Sequence, residues 1–398
     1  MMKLFLCSVL SATSLMLSAS GGEEAMGKKN PADFWKTSEL FRTPEFESVD
    51  QKYPDSREDG VQAITYSGLP LNGKPTKVFA YLGYPEGPVP QGGFPAVVLV
   101  HGGGGTAFAK YIRIWNRRGY AAIAMDLYGT RPVADKKKKT VPLEGGSNVD
   151  WQRRSVANAV LGHSLLRSMK NVNKDKIGLI GVSWGGIFAS LISTVDDRLK
   201  FVIPVYGCGF FRYGDDSIVF YRSKQNRKPW WDPGYFLHAS KVPVYWVDGT
   251  NDVHFAIPAL ERSIAATPTT ANRTLVIRLE HSHIGFELSP VFRIVDSVLK
   301  NGVPLPKLGP ISTKDGVASA KILNPGKGIR LPQLCYTKGS GPLSQRLWLN
   351  TPAKCAGGTI SAKIPEGVTQ YYLTAFDEKD ASGQWNCSGS TAVVTVEK

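Results

Sequence analysis

The sequence is 398 residues long, 42% hydrophobic and 20% charged, with a formal charge of +15. That length and apolar content suit one large domain plus a small one and exclude an extended disordered chain. The positive balance reads as a patchily charged soluble surface, or as affinity for acidic polysaccharide or an anionic cell surface. The one dense basic run, Lys136 to Lys139, carries no interleaved aromatics, which excludes a nucleic-acid partner on this pattern.

Residues 1–20 read as a secretory leader. Lys3 supplies the positive start, Leu4 to Leu17 the apolar stretch, and Ser18-Ala19-Ser20 the small residues before a cut near Gly21. The stretch is too short to span a bilayer, and no stable membrane span is expected elsewhere. The expectation is therefore a secreted or periplasmic protein, with an uncleaved anchor as the competing reading. Residues 21–60 are polar and rich in Pro and acidic side chains, and are expected to form an irregular N-terminal arm.

From residue 61 to 301, apolar runs alternate with amphipathic ones. Strands are expected at Val78 to Leu82, Ala96 to Val100, Ala121 to Met125, Ile177 to Ile180, Phe201 to Val205, Val242 to Val247 and Thr274 to Leu279. Helices are expected between them at Phe108 to Arg118, Trp151 to Met169, Gly186 to Thr194, Ala256 to Ala266 and Val291 to Leu299. Continuously apolar strands alternating with helices predict an α/β domain, a mostly parallel sheet with helices on both faces.

Gly302 to Pro310 has the composition of a linker. Beyond it, Arg346 to Leu349, Gly358 to Ile364, Gln370 to Phe376 and Thr391 to Val396 alternate apolar and polar residues. That texture predicts a small all-β, immunoglobulin-like sandwich over 311–398. Loss of the leader removes Cys7 and leaves four cysteines. Cys208, among apolar neighbours, is expected to be a buried thiol. Export predicts one disulfide among Cys335, Cys355 and Cys387, with the pairing open.

The chemistry centres on Gly181-Val-Ser183-Trp-Gly185, a G-x-S-x-G motif placed between a strand and a helix. Glycines on both flanks permit a sharp turn that lifts the serine hydroxyl above the sheet. A serine needs a base, and the base a carboxylate to orient it. Asp248-Gly-Thr-Asn-Asp252 follows one strand and Glu280-His281-Ser282-His283 the next. Asp252 is preferred over Asp248, which abuts the strand and is expected to bond turn amides. His283 is preferred as base over His281 because it stands farther from the expected strand end; His281 then shapes the loop or touches substrate. Oxyanion donors are expected at the Trp184 amide and in His101-Gly102-Gly103-Gly104-Gly105, at the Gly102 and Gly103 amides.

No cofactor or metal is expected. The glycine run lacks the Gly-Lys-Ser/Thr ending of a phosphate loop and the spacing of a dinucleotide fingerprint. His281 and His283 have no supporting cysteine or histidine cluster. Two inserts, 127–150 and 207–241, follow strand ends. Tyr213, Trp230 and Trp231 of the second either line a substrate cleft by stacking on sugar rings or pack the insert onto the sheet.

With these residues placed, the chain resembles the α/β-hydrolase superfamily. More closely it is similar to bacterial acetylxylan esterases and dienelactone-hydrolase-like proteins, relatives of the prolyl oligopeptidase catalytic domain. The resemblance is carried by His101 to Gly105, Ala122 to Leu127, Gly181 to Gly186, Pro204 to Gly209, Asp248 to Asp252 and His281 to His283, across about residues 75–300. It implies an α/β-hydrolase fold with a nucleophile, acid and base at Ser183, Asp252 and His283. It also implies ester hydrolysis; the expected leader, the appended β module and the aromatic inserts point to an esterified polysaccharide, such as acetylated xylan, as partner. No propeller domain is evident, which weakens a peptidase reading. The rivals are a serine peptidase with the same triad and a non-catalytic carbohydrate-binding protein.

Overall fold

The computed structural model describes residues 27–49, 60–132, 140–142, 151–213, 231–380 and 382–396. The leader, Lys136 to Lys139 and Trp230 lie outside them. Nine strands form one large sheet. They are β1 (Phe46–Ser48), β2 (Val61–Ser67), β3 (Lys77–Gly83), β4 (Phe94–Val100), β5 (Ala121–Met125), β8 (Val172–Val182), β9 (Val202–Val205), β10 (Val244–Gly249) and β11 (Thr270–Val276). Between them, β6 (Thr130–Pro132) and β7 (Thr140–Pro142) pair as a separate hairpin. The order across the sheet is β1-β2-β3-β5-β4-β8-β9-β10-β11. The first three strands are antiparallel and the remaining six run parallel.

The apolar runs explain this arrangement. Val97, Val98 and Leu99 of β4 point alternately to the two faces, and all are buried. Each such side chain contributes about 1.5–3 kcal/mol relative to exposure. The helix Trp184–Val195 that follows β8 is buried at every position. Residues 27–49 of the arm are more ordered than their composition predicts. Trp35 and Leu40 are buried in the core, and β1 adds an antiparallel edge strand to β2.

The C-terminal residues form a sandwich of two antiparallel sheets. One contains β12 (Lys307–Leu308), β13 (Ser312–Lys314), β14 (Val317–Asn324), β17 (Lys354–Ala356) and β18 (Thr359–Lys363). The other contains β15 (Leu331–Thr337), β16 (Trp348–Pro352), β19 (Gln370–Lys379), β20 (Trp385–Ser390) and β21 (Val394–Thr395). Leu334, Ile360, Leu373 and Ala375 lie in their shared core. The segment read as a linker is packed instead of free. Lys307 and Leu308 pair with β14, and Leu305 is buried.

The sandwich covers the edge strand β11, an edge that would otherwise expose unpaired backbone. Leu275 donates its N–H to Ser390 Oγ at 3.1 Å and accepts from Tyr372 OH at 3.2 Å, while Thr274 Oγ1 donates to Ser388 O at 2.7 Å.

The expected disulfide is absent: Cys335, Cys355 and Cys387 are all unpaired thiols. Cys335 stands opposite Tyr372 of β19, whereas Cys387 stands opposite Glu378 of the same strand. Six residues of strand separate those positions by about 20 Å, far beyond disulfide reach. Cys355 lies in the other sheet and is exposed. Cys208 is a buried thiol, and burial pushes its pKa up.

Candidate active site

The C-terminal ends of β8, β10 and β11 converge, and each contributes one polar side chain. Ser183 follows β8 at φ 58° and ψ −116°, a costly backbone region for a residue with a side chain. The glycines around it make the turn possible. A β-carbon at Gly185 would stand 1.9 Å from Val100 O, and one at Gly181 would stand 1.9 Å from Gly185 O. Ser183 is anchored by its N–H on Val205 O, and its carbonyl accepts from Ile187 N in the following helix.

His281 joins the other two groups. Its Nε2 lies 2.9 Å from Ser183 Oγ, and its Nδ1 lies 2.5 Å from Asp252 Oδ2. The second carboxylate oxygen of Asp252 accepts the N–H groups of His254 and Phe255 at 2.7 and 2.8 Å. A buried carboxylate bonded this way holds the imidazole with the proton on Nδ1 and leaves Nε2 able to accept from the serine. The ring lies between aromatic neighbours. The Tyr206 centroid is 5.0 Å away and that of Phe255 is 6.1 Å away, nearly parallel. Asp248 takes the other part expected of it. Its Oδ1 accepts Gly249 N–H, while burial and the nearby Asp252 charge drive its carboxyl pKa well up.

The histidine expected as base is corrected by this geometry. It is His281 that bonds Ser183 Oγ, whereas His283 Nε2 accepts the Gly102 N–H at 3.1 Å. The reason is local. Strand β11 ends at Val276 and not at Leu279, because Arg278 turns the chain at φ 55° with its N–H on Thr250 Oγ1. His281 is thus already five residues past the strand, and His283 starts the next 3-10 turn, His283–Glu287.

The glycine run after β4 passes directly over the serine. A β-carbon at Gly102 would lie 2.8 Å from Ser183 Cβ, and one at Gly103 would lie 2.8 Å from Trp184 Cδ1. His101 is buried, with Nδ1 2.8 Å from Gly102 O and Nε2 accepting Leu127 N–H. The Gly102 carbonyl is therefore turned toward His101, and in a trans peptide the Gly103 N–H points the opposite way. That N–H donates to no group among the described residues. Gly102, expected as an oxyanion donor, already gives its N–H to His283.

Aromatic rings line one side. Trp184 lies 5.1 Å from Trp151, 6.1 Å from Trp231 and 6.0 Å from Phe188, and Tyr128 extends the cluster through Trp151. Trp231 is buried against Trp184 and Trp151 in the core, so it packs its segment onto the sheet. Tyr213 does not join the ring cluster; its ring packs under the Arg262 guanidinium at 3.8 Å. Trp151, Tyr128 and Tyr206 are not among the site residues expected from sequence; Tyr128 and Tyr206 lie just past the ends of β5 and β9, whereas Trp151 opens the helix Trp151–Ser168.

The model of the dienelactone hydrolase family matches residues 78–283, slightly more than half of the chain. Among solved structures, an acetyl xylan esterase from Paenibacillus sp. R4 superposes with a TM-score of 0.54 at 17% identity, covering 70% of this chain and 97% of that one. Acetyl xylan esterase 1 from Thermoanaerobacterium gives 0.47 at 12% identity, over 65% and 90% of the two chains. An acylaminoacyl peptidase from Pyrococcus horikoshii gives 0.43 at 14% identity, over 57% and 38%. No curated protein sequence matches the chain. Family match and fold agree: the chain belongs to the dienelactone hydrolase family and is a hydrolase of the α/β-hydrolase fold.

Proposed function

We propose that the protein is an exported serine esterase that removes acyl groups, acetyl in particular, from polysaccharide. The observation that carries this reading is the continuous relay from Ser183 Oγ through His281 to Asp252. Ser183 Oγ attacks the ester carbonyl as its proton passes to His281 Nε2, and Asp252 holds the resulting imidazolium. The tetrahedral oxygen accepts from the Gly103 and Trp184 amides. His281 then gives the proton to the departing alcohol oxygen. Water, giving its proton to His281, attacks the acyl-serine, and that proton passes to the departing Ser183 Oγ as the carboxylic acid is released.

Three observations support the substrate class. The Trp184 indole packs on Gly103 beside the nucleophile, which favours a short acyl group. The Trp184 and Trp231 rings are buried, and the half-buried Trp151 ring beside them offers an apolar face of the kind that pyranose rings stack on. The leader-like residues 1–20 favour export to where polysaccharide is met. Acetyl xylan hydrolysis is an activity this fold supports, as the Paenibacillus esterase illustrates.

The test is acetate release from a panel of acetylated polysaccharides and from p-nitrophenyl acetate. The wild type is expected to release acetate, and Ser183→Ala to fall by at least about 10³-fold. Full turnover by that variant, or cleavage of peptides and not esters, contradicts the proposal.

A further inference from the structure

A run of four glycines is a poor device for holding hydrogen-bond donors in place, because glycine backbones have the widest conformational freedom. Oxyanion stabilisation nevertheless depends on donors fixed before the reaction. The structure resolves this with two histidines, one on each peptide plane flanking Gly102. The plane that carries the Gly102 N–H is held by His283 Nε2 at 3.1 Å. The next plane, which carries the Gly102 carbonyl and the Gly103 N–H, is held by His101 Nδ1 at 2.8 Å and by Gly105 N–H at 3.2 Å.

We propose that His283 is a positioning residue for the glycine loop: by accepting the Gly102 amide it keeps the Gly103 amide aimed at the developing oxyanion. This rests on the reading of Ser183, His281 and Asp252 given above. Several features fit the role. His283 shares a short loop with His281, so the base and the loop anchor are placed by one segment. The ring packs edge-on against Phe108, with centroids 4.9 Å apart. Gly105 leaves room for it, since a β-carbon there would stand 2.7 Å from His283 Nε2. Burial, with His101 and His281 nearby, brings the imidazole down to about 4, so it is neutral at ordinary pH and Nε2 is free to accept.

The experiment compares His283→Ala, His283→Gln and His281→Ala in the full chain on p-nitrophenyl acetate. A glutamine side chain carries an acceptor oxygen that can replace Nε2. His283→Ala is expected to lower kcat by about 10- to 100-fold while KM stays within about twofold, because the lost interaction acts on the transition state. His283→Gln is expected to recover most of kcat. Both should still be labelled at Ser183 by a fluorophosphonate, whereas His281→Ala should not. Wild-type kcat in His283→Ala, or no recovery in His283→Gln, overturns the proposal. Loss of labelling in His283→Ala with labelling retained in His281→Ala overturns instead the assignment of the base.

Discussion

Ser183, His281 and His283 show how much one residue's backbone decides. The serine was readable from sequence because its strained φ demands glycines at fixed spacing, and that spacing survives in the one-dimensional string. The histidine was not. Two candidates lay two residues apart, and the choice turned on the left-handed turn at Arg278, set by a bond to Thr250 on a neighbouring loop. Nothing local in Leu279 to His283 records that contact. The consequence for His283 is measurable. Its pKa is lowered from the ordinary 6.5 to about 4. Below 6.5 the unfolded chain takes up a proton that the folded chain refuses until about 4. The stability this neutral ring contributes is therefore present above 6.5 and lost as the pH falls to 4. Urea unfolding at pH 7, 5.5 and 4 should find the wild type losing stability faster than His283→Gln across that window. Parallel losses would contradict the environment described for this ring.

Strands and turns carry a second set of lessons. β4 and β5 were evident because both of their faces are buried, so the run is apolar throughout. β1, β14, β15 and β20 were missed. β15 carries Pro332, β20 is made largely of small and polar residues, and β14 is buried at only two positions. Their pairing comes from tertiary neighbours, which composition does not report. The turn after β10 shows such a neighbour at work. Asn251 Nδ2 donates to Ser344 O at 3.0 Å and to Arg346 O at 2.8 Å, both in the sandwich domain. The residue beside the acid is thus tied to another domain. Asn251→Leu should leave both carbonyls without this donor and lower stability by about 1–3 kcal/mol. It should also reduce kcat several-fold with KM little changed, as Asp252 loses its fixed position. Thermal unfolding with steady-state kinetics checks this, and unchanged kcat would sever the link between the sandwich and the site.

The whole molecule is better seen as one body than as a catalytic domain with an appendage. Arg293, in the helix Ser289–Leu299, is buried and binds Asp377 at 2.9 Å and Glu378 at 2.6 Å across the domain boundary. It also donates to the carbonyls of Val303 and Pro304, which fastens the connecting segment. Buried residues of the sandwich, among them Cys335, Trp348, Tyr372 and Cys387, belong to the same apolar cluster as the large sheet. The two-domain division was visible as a change of texture near residue 302, but the seam was not, since it is built from long-range contacts. Within this body, segments nearly 100 residues apart meet at one serine. The most direct test of that convergence is peptide mass spectrometry after a fluorophosphonate pulse on wild type, Asp252→Ala and His281→Ala. Adduct on Ser183 in the wild type, with labelling at least about 100-fold slower in both variants, is the predicted result. Undiminished labelling without the His281 imidazole, or an adduct on a different residue, would contradict it.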